Sequence, residues 1–372
     1  MRWRFLFFCL VIWKATFSQN VDCEQILIQA DDEFNAGRYY GIISLLKPCL
    51  EKNDFTNEQR VRAYLLLTQA YLILDDPAGA EESYLNLLKA DPEYVANPAR
   101  DPIDVYYLSK KFTSTPIITP HIHGGFNTSL PRIIHELTVS GTEINTRNVL
   151  KLGVQGGIGF DFNLTNNISL CAEGNFSNKA FKRNTEKGSA KYFGGDNLST
   201  VERQNWFDIP MYVKYSDDSG KIRPFGYAGF AINLLFSSRG NNWEYRNESA
   251  SLGVIEITGR PENLIYKRKF LNRSLVFGGG AKYKIGKNFL YADLRYMPGL
   301  SNLTKENKIY YTNEDAFDPS VVKYAEVSDY FRLDNLSISF GFIRPLYNPR
   351  KKAKSPFDFL KRKSETTTTA KE

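Results

Sequence analysis

The residues with the greatest capacity for chemistry are two histidines separated by a single residue, His121 and His123. Alternate residues of a β-strand point to the same face, so both imidazoles would share one side of a sheet. Such a pair could bind a metal ion if Glu173, Asp208 or Asp161 supplied a third ligand. Hydrogen bonding within a polar interior is the interpretation we favour, and we therefore expect neither a metal nor a cofactor.

The remaining histidine, His135, lies near Ser140 in a polar stretch of the chain. A histidine beside a serine can act as the general base of a nucleophilic pair. The sequence indicates no acidic residue that would orient this histidine. We therefore expect that the protein is not an enzyme.

The elements that position these residues are long strands of alternating character. The clearest is the segment 148–164, in which apolar side chains alternate with polar residues and glycine. It is longer than an ordinary globular strand of about 5–6 residues. It also exceeds the roughly 9–11 tilted residues that cross a bilayer as a strand. This pattern is typical of a transmembrane β-barrel.

Seven further segments have the same pattern: 117–130, 168–181, 206–215, 223–236, 274–285, 289–297 and 336–342. Tight links at 165–167, 217–220 and 286–288 alternate with long polar loops at 131–147, 183–205, 237–273 and 298–335. Short periplasmic turns opposite long extracellular loops are typical of outer-membrane barrels. The sequence thus predicts an eight-stranded antiparallel barrel over 115–345, with both termini in the periplasm.

The alternation places many charged and polar side chains inside this barrel. An eight-stranded barrel is just wide enough for side chains to fill it. We therefore expect a salt-bridged plug and not an open pore. The predicted interior residues are His121, His123, Lys151, Asp161, Glu173, Asp208, Lys214, Lys282, Asp293 and Arg295.

The composition and the N-terminus agree with an envelope protein. Aromatic residues make up 14% of the chain, as expected where rings anchor a barrel at both membrane interfaces. Residues 1–18 have the basic start, short apolar run and small final residues of a signal peptide. The net charge of +7 comes largely from this segment and a basic tail at 346–372, so we expect no nucleic-acid partner.

Residues 19–96 have apolar residues at helical spacing and resemble two tetratricopeptide repeats. Tyr64 and Tyr71 match first-helix positions of the second repeat, Tyr84 a second-helix position, and Asp91-Pro92 its end. The resemblance implies a surface for partner proteins, although a mere spacer is the alternative. We assign partner binding to Tyr64, Tyr71 and Tyr84, and to Arg350, Lys351 and Lys352 of the tail.

In the register of these repeats, Cys23 opens the first helix and Cys49 lies near the end of the second. These ends are adjacent in an antiparallel helix pair, so a disulfide is expected in an oxidising compartment. It would contribute roughly 3 kcal/mol. Two buried free thiols are the alternative.

The barrel segment resembles PorT-like small outer-membrane barrels, some of which are linked to type IX secretion. The resemblance rests on two stretches, Phe207-Asp208-Ile209-Pro210-Met211-Tyr212-Val213-Lys214-Tyr215 and Arg223-Pro224-Phe225-Gly226-Tyr227-Ala228-Gly229. It implies fold and location. The expected protein is an α+β chain: a helical repeat domain, a linker at 97–114, and a barrel in the lipid bilayer of the outer membrane.

The function that we expect is that of a membrane-anchored scaffold. Its periplasmic repeat domain would bind periplasmic or outer-membrane proteins of an envelope assembly, in secretion or outer-membrane biogenesis. A small porin, or a barrel that binds ligands through its extracellular loops, is the alternative.

Overall fold

The computed structural model describes residues 23–137, 144–187, 196–249, 253–313, 316–319, 321 and 326–352. The predicted signal peptide, Ser140 and the tail beyond residue 352 lie outside these residues. The chain divides into two compact units. The helical unit consists of the described residues up to Ser114 together with those from Tyr347, and the barrel unit extends from Thr115 to Leu346.

Among its described residues, the helical unit contains five helices: α1 Cys23–Asn35, α2 Tyr39–Glu51, α3 Asn57–Ile73, α4 Pro77–Ala90 and α5 Ile103–Ser109. Each of the first four packs against its neighbour in the chain, and α5 packs against α3. Among the described residues, none of these helices is long and apolar enough to cross a membrane. The relation to tetratricopeptide repeats stays a prediction.

Local sequence signals set the starts of α3 and α4. The Thr56 side chain accepts a hydrogen bond from the Gln59 N–H, and the Gln59 side chain accepts one from the Thr56 N–H. This capping box satisfies two N–H groups that the helix cannot. Asp76 caps α4 in a similar way, and Pro77 follows at a position where a helix needs no N–H donor.

The predicted disulfide between Cys23 and Cys49 is confirmed, with the two Cα atoms 5.9 Å apart. It joins the first residue of α1 to the last turn of α2, beside a core that contains Leu27, Ile42 and Leu46. The bond closes a loop in a small helical unit. A disulfide in a small unit adds noticeably to the free energy of unfolding, because the apolar core alone contributes little.

Removal of this disulfide is expected to loosen the first helix pair. Replacing Cys23 and Cys49 by alanine should cost about 3 kcal/mol, because the unfolded loop regains its freedom. Hydrogen exchange measured by mass spectrometry on the full chain should become faster in α1 and α2 and stay unchanged in the barrel. Dithiothreitol should reproduce the effect in the natural chain and add nothing in the variant. Unchanged exchange of α1 after reduction would contradict the prediction.

The segment after the barrel folds back onto the helical unit. Arg350–Lys351 pairs as a short antiparallel strand with Phe112–Thr113. The Lys351 ammonium lies 2.8 Å from the Glu81 carboxylate, and the Tyr347 hydroxyl donates to Glu93 at 2.9 Å. The beginning of the predicted tail is therefore an ordered part of this unit.

The barrel is an eight-stranded antiparallel meander that closes on itself. The first and last strands pair with each other, with Phe340 opposite Gly124. Closure leaves the barrel wall without a free edge, so every strand finds hydrogen-bond partners on both sides. The strands are β1 Ile118–His135, β2 Leu152–Asn163, β3 Ile168–Lys187, β4 Asp196–Ser216, β5 Ile222–Ser249, β6 Leu271–Ile285, β7 Asn288–Met297 and β8 Tyr330–Ile343.

The eight predicted strand segments coincide with these strands, with one correction at the clearest of them. The segment 148–164 is interrupted at Lys151. The strand Ile144–Leu150 before the break pairs with β3, whereas β2 begins after it and pairs with both β1 and β3. The alternation of apolar residues continues across the break. The pattern alone therefore does not reveal that pairing with β1 starts only at β2, while both strands pair with β3.

Several strands are longer than predicted, and much of the expected loops 183–205 and 237–273 is sheet. β3, β4 and β5 continue beyond the barrel wall as a sheet extension, with Ile144–Leu150 and Gly253–Gly259 on its two sides. Most residues of these portions are polar. The few apolar ones, such as Leu198 and Trp243, which pack with Leu264, do not give a sustained period-two signal. The remaining short elements are the strands Glu262–Asn263, Tyr311–Asn313 and Ala316–Phe317, and the 3-10 helices Ile265–Lys267 and Glu306–Lys308.

The outward face of the barrel wall carries an apolar belt, while polar side chains are buried inside. A water-soluble barrel would have the opposite arrangement, whereas a wall surrounded by lipid needs this one. Exposed members of the belt are Ile122, Phe126, Ile158, Phe160, Leu170, Phe176, Val213, Phe230, Leu275, Phe277, Leu294, Ile338 and Phe340.

Candidate functional site in the barrel lumen

The lumen is filled by buried polar side chains at three levels, which we call the mid-lumen cluster, the upper pair and the plug. The structure places most of the predicted interior residues in the first two: His121, His123, Asp161, Glu173, Asp208, Lys214, Asp293 and Arg295 are all buried. Lys282 is only partly buried and contacts Asp218 at 3.1 Å near the short-turn end. Lys151, which we also expected inside, is exposed at the break before β2.

An ion pair between Glu173 of β3 and Arg295 of β7 forms the centre of the mid-lumen cluster. The two guanidinium Nη atoms donate to the two carboxylate oxygens at 2.7 and 2.9 Å. The Tyr212 hydroxyl also donates to Glu173. Two-pronged pairing of this kind fixes both the distance and the plane of the two groups, so it ties opposite walls of the barrel together.

The same arginine organises a second acid. The Tyr227 hydroxyl donates to Asp293 at 2.7 Å and accepts from Arg295 Nε at 2.9 Å. The guanidinium lies 5.3 Å from the centre of the Tyr227 ring, within the range of a cation–π contact. Arg295 Nη2 also lies 3.5 Å from Asp293 Oδ2. The guanidinium is therefore paired with Asp293 as well as with Glu173.

The third acid of the cluster, Asp161 of β2, pairs with Lys214 of β4. Together, the cluster contains three carboxylates, on Asp161, Glu173 and Asp293, and two cations. Among the described residues of the cluster, the carboxylates thus outnumber the lysine and arginine side chains by one.

His121 and His123 lie against these acids. His121 has its Nε2 3.4 Å from Glu173 Oε1 and its Nδ1 3.7 Å from Asp161 Oδ1. His123 Nε2 is 3.9 Å from Glu173 Oε2. Glycine at position 159 makes this possible, because a Cβ there would meet the His121 ring and lie 2.7 Å from Glu173 Cγ.

A small cavity of about 10 Å³ lies within this cluster, between His121, Glu173, Tyr291 and Asp293. This is the space of about one water molecule. Of the three ligands that the sequence offered for a metal, the structure brings Glu173 to both histidines. Asp208 is elsewhere, in the upper pair.

The upper pair joins Lys179 of β3 to Asp208 of β4. The ammonium lies 3.0 Å from Asp208 Oδ1 and 5.1 Å from the centre of the Trp206 ring. Asp208 also accepts from Ser177 at 2.6 Å and from Asn233 at 2.6 Å. Both oxygens of Asp208 thereby accept hydrogen bonds, as a buried carboxylate requires.

The plug is the loop segment 264–269 with its ion-pair partners, and it closes the lumen towards the long loops. The residues of this segment were not among the predicted interior residues. Residues 264–269, between the sheet extension and β6, fold into the barrel. Arg268 donates to both oxygens of Glu202, at 2.6 and 2.8 Å. Lys267 is 3.0 Å from Asp318 and 3.6 Å from Glu326, and neither the lysine nor Asp318 is exposed at all.

Arg183 of β3 completes the plug through Glu326, 3.3 Å away, and Asp329, 3.8 Å away. The Tyr266 hydroxyl donates to Asp318 at 2.5 Å. Burial, and then this hydrogen bond, raise the pKa of Tyr266 above its usual range, so the phenol remains a donor. No sequence signal marks Lys267 or Arg268, because the loop that carries them has no strand periodicity.

The residues assigned to partner binding have different surroundings. Tyr84 is 2% exposed and packs against Tyr94 and Phe112, and burial raises its pKa to about 12. It is a core residue, so the expectation of a surface role was wrong for it. Tyr64 and Tyr71 are half-buried at the boundary of the two helical cores. Lys351 pairs with Glu81, and Arg350 and Lys352 lie in the same docked segment.

Comparisons with known proteins agree with this architecture. Residues 121–305 match the family described as "Outer membrane protein beta-barrel domain". No curated protein sequence is significantly similar to this chain. The narrower resemblance to PorT-like barrels stays a prediction.

Solved structures with some similarity are small outer-membrane proteins. OprG from Pseudomonas aeruginosa is 12% identical, with a TM-score of 0.30, over 64% of this chain and 99% of that one. Neisserial surface protein A is 9% identical, with a TM-score of 0.29, over 62% and 97%. Ail of Yersinia pestis is 9% identical, with a TM-score of 0.23, over 60% and 97%. The family match over residues 121–305 and the outward apolar belt agree with the fold of an outer-membrane β-barrel.

Proposed function

We propose that this chain is a non-conducting outer-membrane anchor whose helical unit binds partner proteins of an envelope assembly. The observation that carries the proposal is the filled lumen. Buried ion pairs occupy it at three successive levels, from Lys214–Asp161 to Lys267–Asp318. A barrel that transports solutes through its lumen needs a free path, whereas an anchor needs only a stable wall.

The arrangement of the strands supports a periplasmic helical unit. β1 begins and β8 ends at the end of the barrel where β2–β3, β4–β5 and β6–β7 are joined by short turns. In outer-membrane barrels the short turns face the periplasm. Under this proposal, the chain enters and leaves the barrel on the periplasmic side.

Exposed apolar side chains on the helical unit support partner binding. Tyr40 of α2 is 83% exposed, Val95 after α4 is 79% exposed and Tyr107 of α5 is 60% exposed. Each of these exposed apolar side chains is a candidate contact for a partner protein. Because Lys351 is engaged with Glu81, we assign recognition to these helices rather than to the start of the basic tail.

A role other than catalysis is part of the proposal. The His135 ring packs 6.3 Å from the Tyr330 ring, and the mid-lumen histidines are enclosed by ion pairs. Neither arrangement offers a substrate-sized site next to a nucleophile.

The long-loop end provides a second candidate surface. The edge strand Gly253–Gly259 of the sheet extension exposes Val254, Ile255 and Ile257. An exposed edge strand can pair with an added strand of a partner. This favours an extracellular binding function, which corresponds to the ligand-binding alternative.

Photo-crosslinking in native outer membranes would distinguish the two surfaces. We expect crosslinked partners with a photoreactive residue at Tyr40 and none with the matched residue at Val254. Tyr40→Glu should abolish capture by a second probe at Tyr107, while Val254→Glu should not. The reverse pattern would favour the long-loop end, and no partner from either probe would contradict the anchor proposal.

The absence of a pore is tested separately. In planar bilayers, the purified chain should give no steady single-channel conductance, because charged side chains occupy the lumen. A stable ohmic conductance in the natural chain would overturn the non-conducting part of the proposal.

A further inference from the structure

We propose that His121, His123 and Glu173 bind one divalent transition-metal ion, for which zinc is the best match, inside the barrel. The three side chains are buried, and their ligand atoms lie within 4.8 Å of one another. Two imidazoles and one carboxylate are a frequent zinc ligand set. Such a site goes beyond the anchor function, because it would fasten β1 to β3 across the intervening β2.

The state of His123 points to a missing ligand. Its side chain is 1% exposed. The Asn175 amide lies beside the ring, but neither ring nitrogen has a hydrogen bond of normal geometry with Asn175 or with another described residue. A buried polar group without a partner costs free energy, so the interior should offer His123 something to bind. The nearest acidic atom is Glu173 Oε2, which also faces the cation of Arg295.

The three residues are placed near the corners of a tetrahedral site. Ligand atoms about 2.0–2.1 Å from zinc are separated from each other by roughly 3.3–3.4 Å. His121 Nε2 is 3.4 Å from Glu173 Oε1, and His123 Nε2 is 3.9 Å from the other carboxylate oxygen, Oε2. One ligand atom from each residue lies within 4.8 Å of the others, so the rings and the carboxylate would move closer together around one ion. A water-sized cavity that His121 and Glu173 line would hold a fourth ligand.

Asp161 is placed to orient one of the ligands. Its Oδ1 faces Nδ1 of His121 at 3.7 Å, on the side of the ring away from Glu173. A carboxylate at this position favours a proton on Nδ1 and leaves the Nε2 lone pair for the metal. Asp161 Oδ1 accepts no other hydrogen bond of normal geometry among the described residues, so it is available for this role.

The charges of the cluster also accommodate a cation. Among the described residues, the three carboxylates of Asp161, Glu173 and Asp293 pair with two cations, Lys214 and Arg295. Arg295 donates to both oxygens of Glu173, and Tyr212 and Asn175 donate to one oxygen each, so these donors use the roughly four lone-pair sites of the carboxylate. An ion bound to Glu173 would therefore displace Tyr212 or Asn175 and leave the guanidinium in place.

The test is zinc binding by the full chain, purified without a histidine tag and refolded in detergent with zinc chloride. After gel filtration, elemental analysis should find one zinc per chain, and zinc should raise the thermal unfolding temperature. His123→Asn should weaken binding at least tenfold. The matched control is His135→Asn, because the sequence has only three histidines and His135 is outside the cluster. It should bind like the natural chain.

The outcomes separate this site from adventitious binding. Zinc that stays stoichiometric in the double variant His121→Asn/His123→Asn, or that is lost with His135→Asn, would overturn the proposal. If the variants do not fold, X-ray absorption of the zinc-loaded natural chain replaces them. Scattering from two imidazoles is expected, and a shell of oxygen atoms alone would refute the site. A chain that takes up no zinc would also refute it, without bearing on partner binding.

Discussion

Replacing Arg295 by methionine should lower the free energy of unfolding of the barrel by about 3–5 kcal/mol. The substitution keeps most of the side-chain volume but leaves Glu173 charged and buried. Its remaining hydrogen-bond partners among the described residues are the Tyr212 hydroxyl, the Asn175 amide and His121 Nε2, and none of them replaces the guanidinium charge. Asp293 keeps the Tyr227 hydroxyl and loses the nearby cation. An uncompensated charge in the lumen is the reason for the large effect.

Urea unfolding in detergent micelles, followed by circular dichroism, would measure the change. The double variant Glu173→Gln/Arg295→Met should recover much of the loss, because removing both charges avoids the unpaired carboxylate. Lys221→Met, in the exposed turn before β5, is the matched control and should change stability by less than about 0.5 kcal/mol. A loss below about 1 kcal/mol for Arg295→Met alone, the value of an exposed ion pair, would falsify the view that this ion pair is the centre of the lumen.

Replacing Arg268 by methionine is expected to release the plug while the barrel wall stays folded. Glu202 would lose two charge-assisted hydrogen bonds and keep those from Gln204 and Ser238. Loss of one partner of a buried pair costs about 3 kcal/mol or more. The cost should act locally, because residues 264–269 belong to a connection and not to the barrel wall.

Hydrogen exchange at residues 264–269 should accelerate by about 100-fold, the equivalent of roughly 3 kcal/mol for local opening. Exchange in β7 and β8 should not change. Arg260→Met provides the matched control, since Arg260 is exposed in the same connection. If protection of the plug persisted in Arg268→Met, the Lys267 contacts with Asp318 and Glu326 would have to hold the segment by themselves.

The helical unit shows what a sequence reveals when the signals are local. The pairing of Cys23 with Cys49 was expected because the helical register puts the two residues at adjacent helix ends. Tyr84 shows the limit of the same register. A position in a helix does not say which other elements cover it, and Tyr94 and Phe112, from outside the repeat-like helices, bury the ring.

In the barrel, the period-two pattern indicated eight strands and a polar interior. It did not indicate the break at Lys151, because the apolar residues at 150 and 152 continue the alternation on both sides of it. The alternation does not depend on whether a strand pairs with β3 alone or with β1 and β3. It also missed the sheet extension, where apolar residues such as Leu198 and Trp243 stand among polar ones without a sustained period of two. The plug has no periodic signal at all, so the burial of Lys267 and Arg268 was unforeseeable.

The sequence by itself determined which side of each strand faces lipid and which faces the lumen, because alternation of side chains is a property of the extended backbone. The tertiary structure alone decided which inward residues meet. Strand tilt and stagger bring Glu173 of β3 to Arg295 of β7, and to His121 and His123 of β1, although these residues are far apart in the chain. Those contacts depend on closure of the whole ring, and no local pattern encodes closure.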